Sequence, residues 1–359
     1  MRILLFGGCL SLRGTSIYTV NLARELKLRG NKVTLLGPGG LFDGALADQE
    51  IPILRAPVHG KAWRDWIYLH SYKVCAQSCD PDLLHVLHED HAWIGSLLAR
   101  KLGIPWVLTC HSQATDPLPL SPEYPPKIAT VSEEVRRSLI TTGRVPREWI
   151  DIVPEGVATN LSVLDETSSE EQLPVVGTVN RLAEDRGIDV FLRAARRVLD
   201  LEAEASFLVI GEGPDESKVR RLARELNLTP HLTFALPRAR VSDLFRPIDI
   251  YVSASHNEGH GILLLSAMAE ARPVIATSVG SVLSFITDGR NGLLVQRGDV
   301  EGLARRILGL LEDRECARNL GRDGFRFVRE NFSLSQMLEG TLSVYRKALG
   351  EPSEETADL

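Results

Sequence analysis

The sequence has no surplus of basic charge, no long apolar run and no paired-cysteine pattern, and each absence removes a class of function. Lys and Arg number 41 against 47 Asp and Glu, a formal net charge of -6. A protein that coats nucleic acid needs a basic surface instead. The first 165 residues are close to neutral and the acidity lies mostly in the second half, which leaves room for a local basic site for phosphates. The five cysteines are Cys9, Cys75, Cys79, Cys110 and Cys316. They are odd in number and loosely spaced with no C-x-x-C pair, so neither a zinc site nor a redox motif is indicated. Scattered reduced thiols fit a cytoplasmic protein. No apolar run approaches the roughly 20 residues of a membrane span. The segment Met1–Phe6 is too short for a signal-peptide core and reads as a first buried strand. No Asp-x-Asp stands where it suggests a metal, and none is expected.

What is present is a repeating alternation. At roughly 150 residues per domain, 359 residues suggest two domains. Short apolar runs at Arg2–Phe6, Val33–Leu36, Ile53, Leu83–Leu87, Trp106–Thr109 and Ile128–Val131 read as strands. Helical periodicity appears at Ser16–Arg29, Trp63–Cys75, His91–Leu102 and Glu133–Thr142. The stretch Thr159–Leu173 is polar and aperiodic, a linker. Strands then return at Val175–Val179, Ser206–Ile210, Leu232–Phe234, Ile250–Val252, Pro273–Ala276 and Gly292–Val295. Helices return at Asp189–Leu199, Glu216–Leu226, Gly261–Ala271 and Val300–Glu312. Strands alternating with helices imply parallel sheets covered on both faces. The expectation is an α/β protein of two doubly wound, Rossmann-like parallel-sheet domains facing a central cleft. Residues 1–165 form the first and 166–335 the second. A C-terminal helix, 336–349, packs back on the first domain, and an acidic tail, 350–359, is disordered.

In open parallel sheets ligands sit beyond the carboxyl ends of the strands, so the loops after strands carry the chemistry. The most informative stretch is Ser253–Thr277. A strand ends, a loop carries Glu258-Gly259-His260-Gly261, and a helix starts near Ile262. Glycines allow close backbone approach, and a helix N-terminus favours an anion such as a diphosphate. Asn180–Gly187 also follows a strand and precedes a helix. Its Arg181 and Arg186 put positive charge at a helix start, where the dipole disfavours it. Ile210–Pro214 holds Gly211 and Gly213 in a tight strand-to-helix turn. Arg13-Gly14-Thr15-Ser16 opens the first helix. These glycines are not spaced as G-x-G-x-x-G, which argues against a hydride-transferring enzyme.

Ser253–Thr277 resembles the signature of family 4 of the retaining GT-B glycosyltransferases, E-G-F-G-x-x-x-x-E-A-M-A-x-G-x-P-V-I-A. Asn180–Gly187 is similar to that family's G-R-L-x-x-x-K-G, Ile210–Pro214 to V-G-x-G-P, and Arg13-Gly14 to its G-G loop. His111 resembles the His of T-x-H, and Pro154-Glu155-Gly156-Val157 resembles P-N-G-V, a hinge turn with Glu155 in place of Asn. The resemblance implies that Glu258 contacts the donor sugar and that His111 lines it. It implies that Arg181 and Arg186 neutralise the leaving diphosphate. Gly14, Thr15, Gly211, Gly213, Gly259, His260, Gly261 and Ile262 would lie along the nucleotide. The chain departs from the pattern at Ser266, where a Glu grips the ribose, at His260 for Phe, and at Ala271 for Gly.

The function so implied is a retaining, metal-independent glycosyl transfer from a nucleotide sugar, such as a UDP- or GDP-sugar. The acceptor would be a glycan, lipid-linked or small molecule, in polysaccharide or glycoconjugate synthesis. No cofactor is expected. Two alternatives remain open: a degenerate, non-catalytic partner protein, and a sugar-nucleotide epimerase. The segment Lys61–Lys73 mixes Trp63, Trp66, Tyr68 and Tyr72 with Lys61, Arg64 and Lys73. That mixture suits peripheral contact with the inner face of a membrane or a helix packed on the sheet.

Overall fold

The computed structural model describes residues 1–58, 62–164, 173–238, 240–258 and 261–351, with backbone only for 62–65 and 163. The expected linker lies partly, and the tail beyond Glu351 wholly, outside these residues. The chain divides into two compact units. One comprises Met1–Ser11, Thr15–Gly156 and Leu334–Leu359, the other Leu12–Gly14 and Val157–Ser333.

The first unit carries strands β1 (Arg2–Phe6), β2 (Lys32–Gly37), β3 (Ile53–Arg55), β4 (Leu83–Val86), β5 (Trp106–Cys110), β6 (Lys127–Thr130) and β7 (Ile150–Ile152). They form one sheet in the order β3-β2-β1-β4-β5-β6-β7, and every pairing is parallel. Its helices are α1 (Gly14–Leu28), α2 (Asp43–Ala47), α3 (Ala62–Gln77), α4 (Ala92–Leu102) and α5 (Glu133–Thr141). The second unit carries β8 (Val175–Val179), β9 (Ser206–Ile210), β10 (Leu232–Ala235), β11 (Ile250–Ser253), β12 (Val274–Thr277) and β13 (Leu293–Val295). Their order is β10-β9-β8-β11-β12-β13, again all parallel. The helices α6 (Ile188–Asp200), α7 (Glu216–Glu225), α8 (Ser242–Phe245), α9 (Ile262–Ala269), α10 (Val282–Phe285), α11 (Val300–Glu312) and α12 (Arg314–Asn331) belong with it. The last helix, α13 (Leu334–Leu349), returns to the first unit and packs beside β5 and β6.

Burial explains the strand composition. Strands β4, β5, β11 and β12 are buried at every position, as expected where helices cover both faces of a parallel sheet. The first core gathers Phe6, Tyr72, Leu84, Leu98 and Trp106. The second gathers Phe191, Phe207, Val252, Ile275 and Ile307. In each sheet the strand order reverses once, between β1 and β4 and between β8 and β11. That reversal opens a crevice at the carboxyl edge, where such sheets bind ligands.

Close backbone contacts fix the second crevice. Gly187, with φ +61°, ends the loop after β8, and a Cβ there would lie 1.9 Å from the Ala254 carbonyl oxygen of the loop after β11. Gly30 also has a positive φ, +79°, but a Cβ there meets nothing within 4 Å. Gly30→Ala is therefore expected to cost about 1–2 kcal/mol, the left-handed backbone penalty alone. Gly187→Ala is expected to cost clearly more, because the loop must also move. Urea unfolding of both variants measures the difference, and equal losses would mean that the two loops are not locked together.

Candidate active site

In the second unit the expected residues converge on the switch between β8 and β11. Arg181 and Arg186 stand in the loop after β8 and Glu258 in the loop after β11. The Asp185 carboxylate lies 3.6 Å from Arg181 and 3.1 Å from Arg186, and Arg186 Nη1 is 3.6 Å from Glu258 Oε2. The Nε of Arg186 is buried and out of line for a hydrogen bond despite its closeness to Asp185. Backbone bonds tie the loops together: His256 N–H donates to the Asp185 carbonyl at 2.9 Å.

Glu258 is held from both ends. Its Oε1 accepts from Gly261 N–H at 3.4 Å, so the side chain caps the approach to α9. Its carbonyl accepts from Ser281 N–H at 3.1 Å and from the Ser281 hydroxyl at 3.4 Å. Gly280, with φ +51°, sits so close that a Cβ would fall 2.1 Å from the same carbonyl. Gly261 is itself left-handed, φ +69°, and Ile262 begins α9, whose first N–H groups have no partner within the helix. Gly259 and His260 lie outside the described residues. Ser266 is 5% exposed, and its hydroxyl donates to the Ile262 carbonyl at 2.7 Å.

Gly211 and Gly213 have a different reason to be glycine. A Cβ on Gly211 would lie 1.9 Å from the Asn180 carbonyl oxygen, and one on Gly213 would lie 2.3 Å from that of Leu182. The turn after β9 is pressed against the backbone of the Arg181 loop. It shapes that loop through hydrogen bonds such as Leu182 N–H to the Glu212 carbonyl at 2.9 Å.

Gly14 begins α1 at the last residue of the short Leu12–Gly14 piece that groups with the second unit; in the first unit the Thr15 carbonyl accepts from the Thr19 hydroxyl at 2.8 Å. His111 follows β5 and is fully buried. Its Nε2 lies 3.2 Å from the Leu87 carbonyl and its Nδ1 2.9 Å from Glu155 Oε1. The edge of the Tyr18 ring meets it, centroids 4.7 Å apart. Both ring nitrogens are thus engaged inside the unit. Burial pulls the imidazole below its usual pKa, against the opposing pull of the Glu89 charge.

Two carboxylates were not legible as site residues from the sequence. Glu89 accepts from the backbone N–H of His111 and of Ser112, both at 3.1 Å, and from the Ser112 hydroxyl. Burial alone would raise its pKa, but the charges of His88 and His111 and these hydrogen bonds hold it down to about 2. Glu155, 3% exposed, reaches the His111 ring. Beneath them His85 bridges the Tyr345 hydroxyl of α13 and the Thr109 hydroxyl, each at 2.7 Å, and burial keeps it neutral, its pKa lowered to about 3. The only sequence signals were the run His88-Glu89-Asp90-His91 after a strand and the Glu in the P-x-G-V turn.

Two open, all-parallel, Rossmann-like sheets of seven and six strands in one chain are the GT-B fold. Anabaena HepE, solved with UDP and glucose, superposes with a TM-score of 0.78 at 17% identity, covering 96% of this chain and 99% of that one. The chain belongs to the family 4, group 1 glycosyltransferases: the model described as Glycosyltransferase Family 4 matches residues 12–161, and Glycosyl transferases group 1 matches residues 164–327. Among curated relatives, the D-inositol 3-phosphate glycosyltransferase of Nocardia farcinica is 27% identical over 94% of this chain and 85% of its own length. The alpha-maltose-1-phosphate synthase of Mycolicibacterium smegmatis is 27% identical over 73% and 79%.

The buried charges set an acid limit on stability. Glu89 has a depressed folded pKa, so its contribution is complete above its ordinary value of 4.5 and drains as pH falls toward 2. His85, neutral when folded, adds loss in the same direction from pH 6.5 toward 3. The urea midpoint is expected to fall steadily below pH 6. Glu89→Gln is expected to lower stability at pH 7 by about 1–3 kcal/mol and to flatten the acid part of the curve. An unchanged acid slope in the variant would remove Glu89 from this role.

Proposed function

We propose that the chain moves a sugar from a nucleoside-diphosphate sugar to a glycan, lipid-linked or small-molecule acceptor, with retention and without a metal or other cofactor, in polysaccharide or glycoconjugate synthesis. The observation that carries this reading is the pair Arg181 and Arg186 around Asp185, with Glu258 at the approach to α9. Two guanidinium groups and a helix N-terminus suit a leaving diphosphate, whose negative charge grows as the bond to the sugar breaks. Arginine presents a planar fork matched to phosphate oxygens. A diphosphate drawing Arg186 away would release Glu258 to hold the sugar. In the favoured same-face course the acceptor hydroxyl oxygen bonds the anomeric carbon as the carbon–oxygen bond to diphosphate breaks. The acceptor proton passes to the departing phosphate oxygen. The bound UDP and glucose of the HepE neighbour agree with a uridine donor.

A second reading, a non-catalytic partner, draws on Ser266, whose hydroxyl is committed to the Ile262 carbonyl and offers a ribose at most a weak contact. An epimerase would release free sugar and nucleotide without an acceptor, which product analysis separates. No described helix is long and apolar enough to cross a membrane. The proposed setting is cytoplasmic, with peripheral contact to the inner membrane face through α3. There Trp66, Ile67 and Val74 are 62%, 61% and 54% exposed. Lys61 and the side chains of Trp63 and Arg64 lie outside the described residues. Co-sedimentation with anionic phospholipid vesicles is expected and should be lost in Trp66→Ser/Ile67→Ser; retention by that variant would contradict the contact.

A thermal-shift series with UDP, GDP, ADP and their sugar conjugates is expected to single out one base. A ligand at a hundred times its Kd stabilises the fold by about 2.7 kcal/mol. No shift with any nucleotide, in folded protein, would favour the non-catalytic partner. With the donor in hand, Glu258→Ala should cost far more turnover than Ser266→Ala. Ser266→Glu should tighten nucleotide binding. Equal, small losses from the two alanine variants would mean that the site is misassigned.

A further inference from the structure

The turn Pro154–Gly156 does more than connect. The Leu87 carbonyl can only accept, so the proton on His111 Nε2 is fixed. Nδ1 then faces Glu155 Oε1 at 2.9 Å, a distance that requires one proton between them. His111 is fully buried and Glu155 is 3% exposed, so bulk water cannot take the place of that proton. Whether it rests on nitrogen or oxygen, the pair is net neutral, and a lone charge at this depth would be expensive. Among the described residues, titratable groups near the ring include His88 and Glu89 from the turn after β4, His85 from β4 itself and Tyr18 from α1. Cys110 precedes it on β5.

The same turn is anchored on both sides. Asn21 of α1 donates to the Gly156 carbonyl at 3.1 Å, and Gly156 N–H donates to Met337 Sδ of α13 at 3.2 Å. After Gly156 the chain leaves this unit. The His111–Ser112 turn is therefore gripped twice, by Glu89 through its backbone and by Glu155 through its ring.

We infer that Glu155 is a positioning residue: by sharing a proton with His111 Nδ1 it locks the turn that ends β5 and joins it to the point where the chain exits the unit. The effect on turnover rests on the transfer reading above, whereas the proton itself is tested without it. Histidine ring nitrogens of the 15N-labelled full chain are followed by NMR from pH 5 to 9, with His111 assigned by the signal lost in His111→Gln. In the wild type, His111 is expected to stay untitrated with Nε2 protonated and Nδ1 in a strong hydrogen bond. Glu155→Gln should convert Nδ1 to a plain acceptor without unfolding the chain. UDP release from UDP-glucose gives the second readout. Glu155→Gln should change the pH profile of kcat with little change in KM, and Glu155→Ala should lower kcat about 10- to 100-fold. Titration of wild-type His111 near its ordinary value would overturn the inference. So would an unchanged Nδ1 signal in Glu155→Gln. A wild type that releases no UDP would count against the donor reading, and the NMR result then decides the pair on its own.

Discussion

Two backbone carbonyls, those of Ala254 and Glu258, lie nearer to Gly187 and Gly280 than any Cβ would allow. That constraint holds the second unit's site together. It fixes the loop after β11 between the loop that carries Arg186 and the turn that precedes α10. Glu258 is thereby placed by its main chain, and its carboxylate is left to choose between partners. The turn after β9 repeats the device, with Gly211 and Gly213 against Asn180 and Leu182. Glycines that look in a motif as though they face a ligand here serve first to let neighbouring loops touch.

The charges of this site are balanced within it. Asp185 stands between two arginines and Glu258 meets Arg186. These pairs are partly exposed, so each is worth little on its own. On the proposed donor reading a bound dianion would exchange with them at small cost, and the Nε of Arg186, without a hydrogen bond here, would gain a partner. The first unit is built the opposite way. Its chain of Tyr345, His85 and Thr109, with Tyr18 hydroxyl 3.2 Å from Thr109, is buried and closely bonded. Buried networks of this kind are rigid when fully satisfied. The second unit's ion pairs are partly exposed, whereas the first unit's network is buried.

Much of the fold was legible because parallel strands buried on both faces are short apolar runs. Strands β1, β8 and β9 and helix α11 fall on the residues that the sequence indicated, and most other ends shift by a residue or two. Strand β7 was missed because Ile150-Asp151-Ile152 is too short to show a period. Helix α12 was not among the elements that the sequence indicated, and it carries Gly321 and Gly324 in its interior. They are packing residues: a Cβ on Gly321 would lie 2.2 Å from the Ala271 carbonyl oxygen, and one on Gly324 would touch Met268 of α9. In the site, Arg181, Arg186 and Glu258 were legible from local motifs and are brought together. Glu89 and Glu155 were not, because their partners lie 22 and 44 residues away along the chain. Nothing local marks a carboxylate that acts on a distant turn.

The most direct test of the donor site is a crystal structure of the full chain with UDP. The diphosphate is expected beside Arg181, Arg186 and the first turn of α9, with Arg186 drawn away from Glu258. UDP bound elsewhere, or a diphosphate that leaves the Arg186–Glu258 pair intact and touches neither arginine, would contradict it.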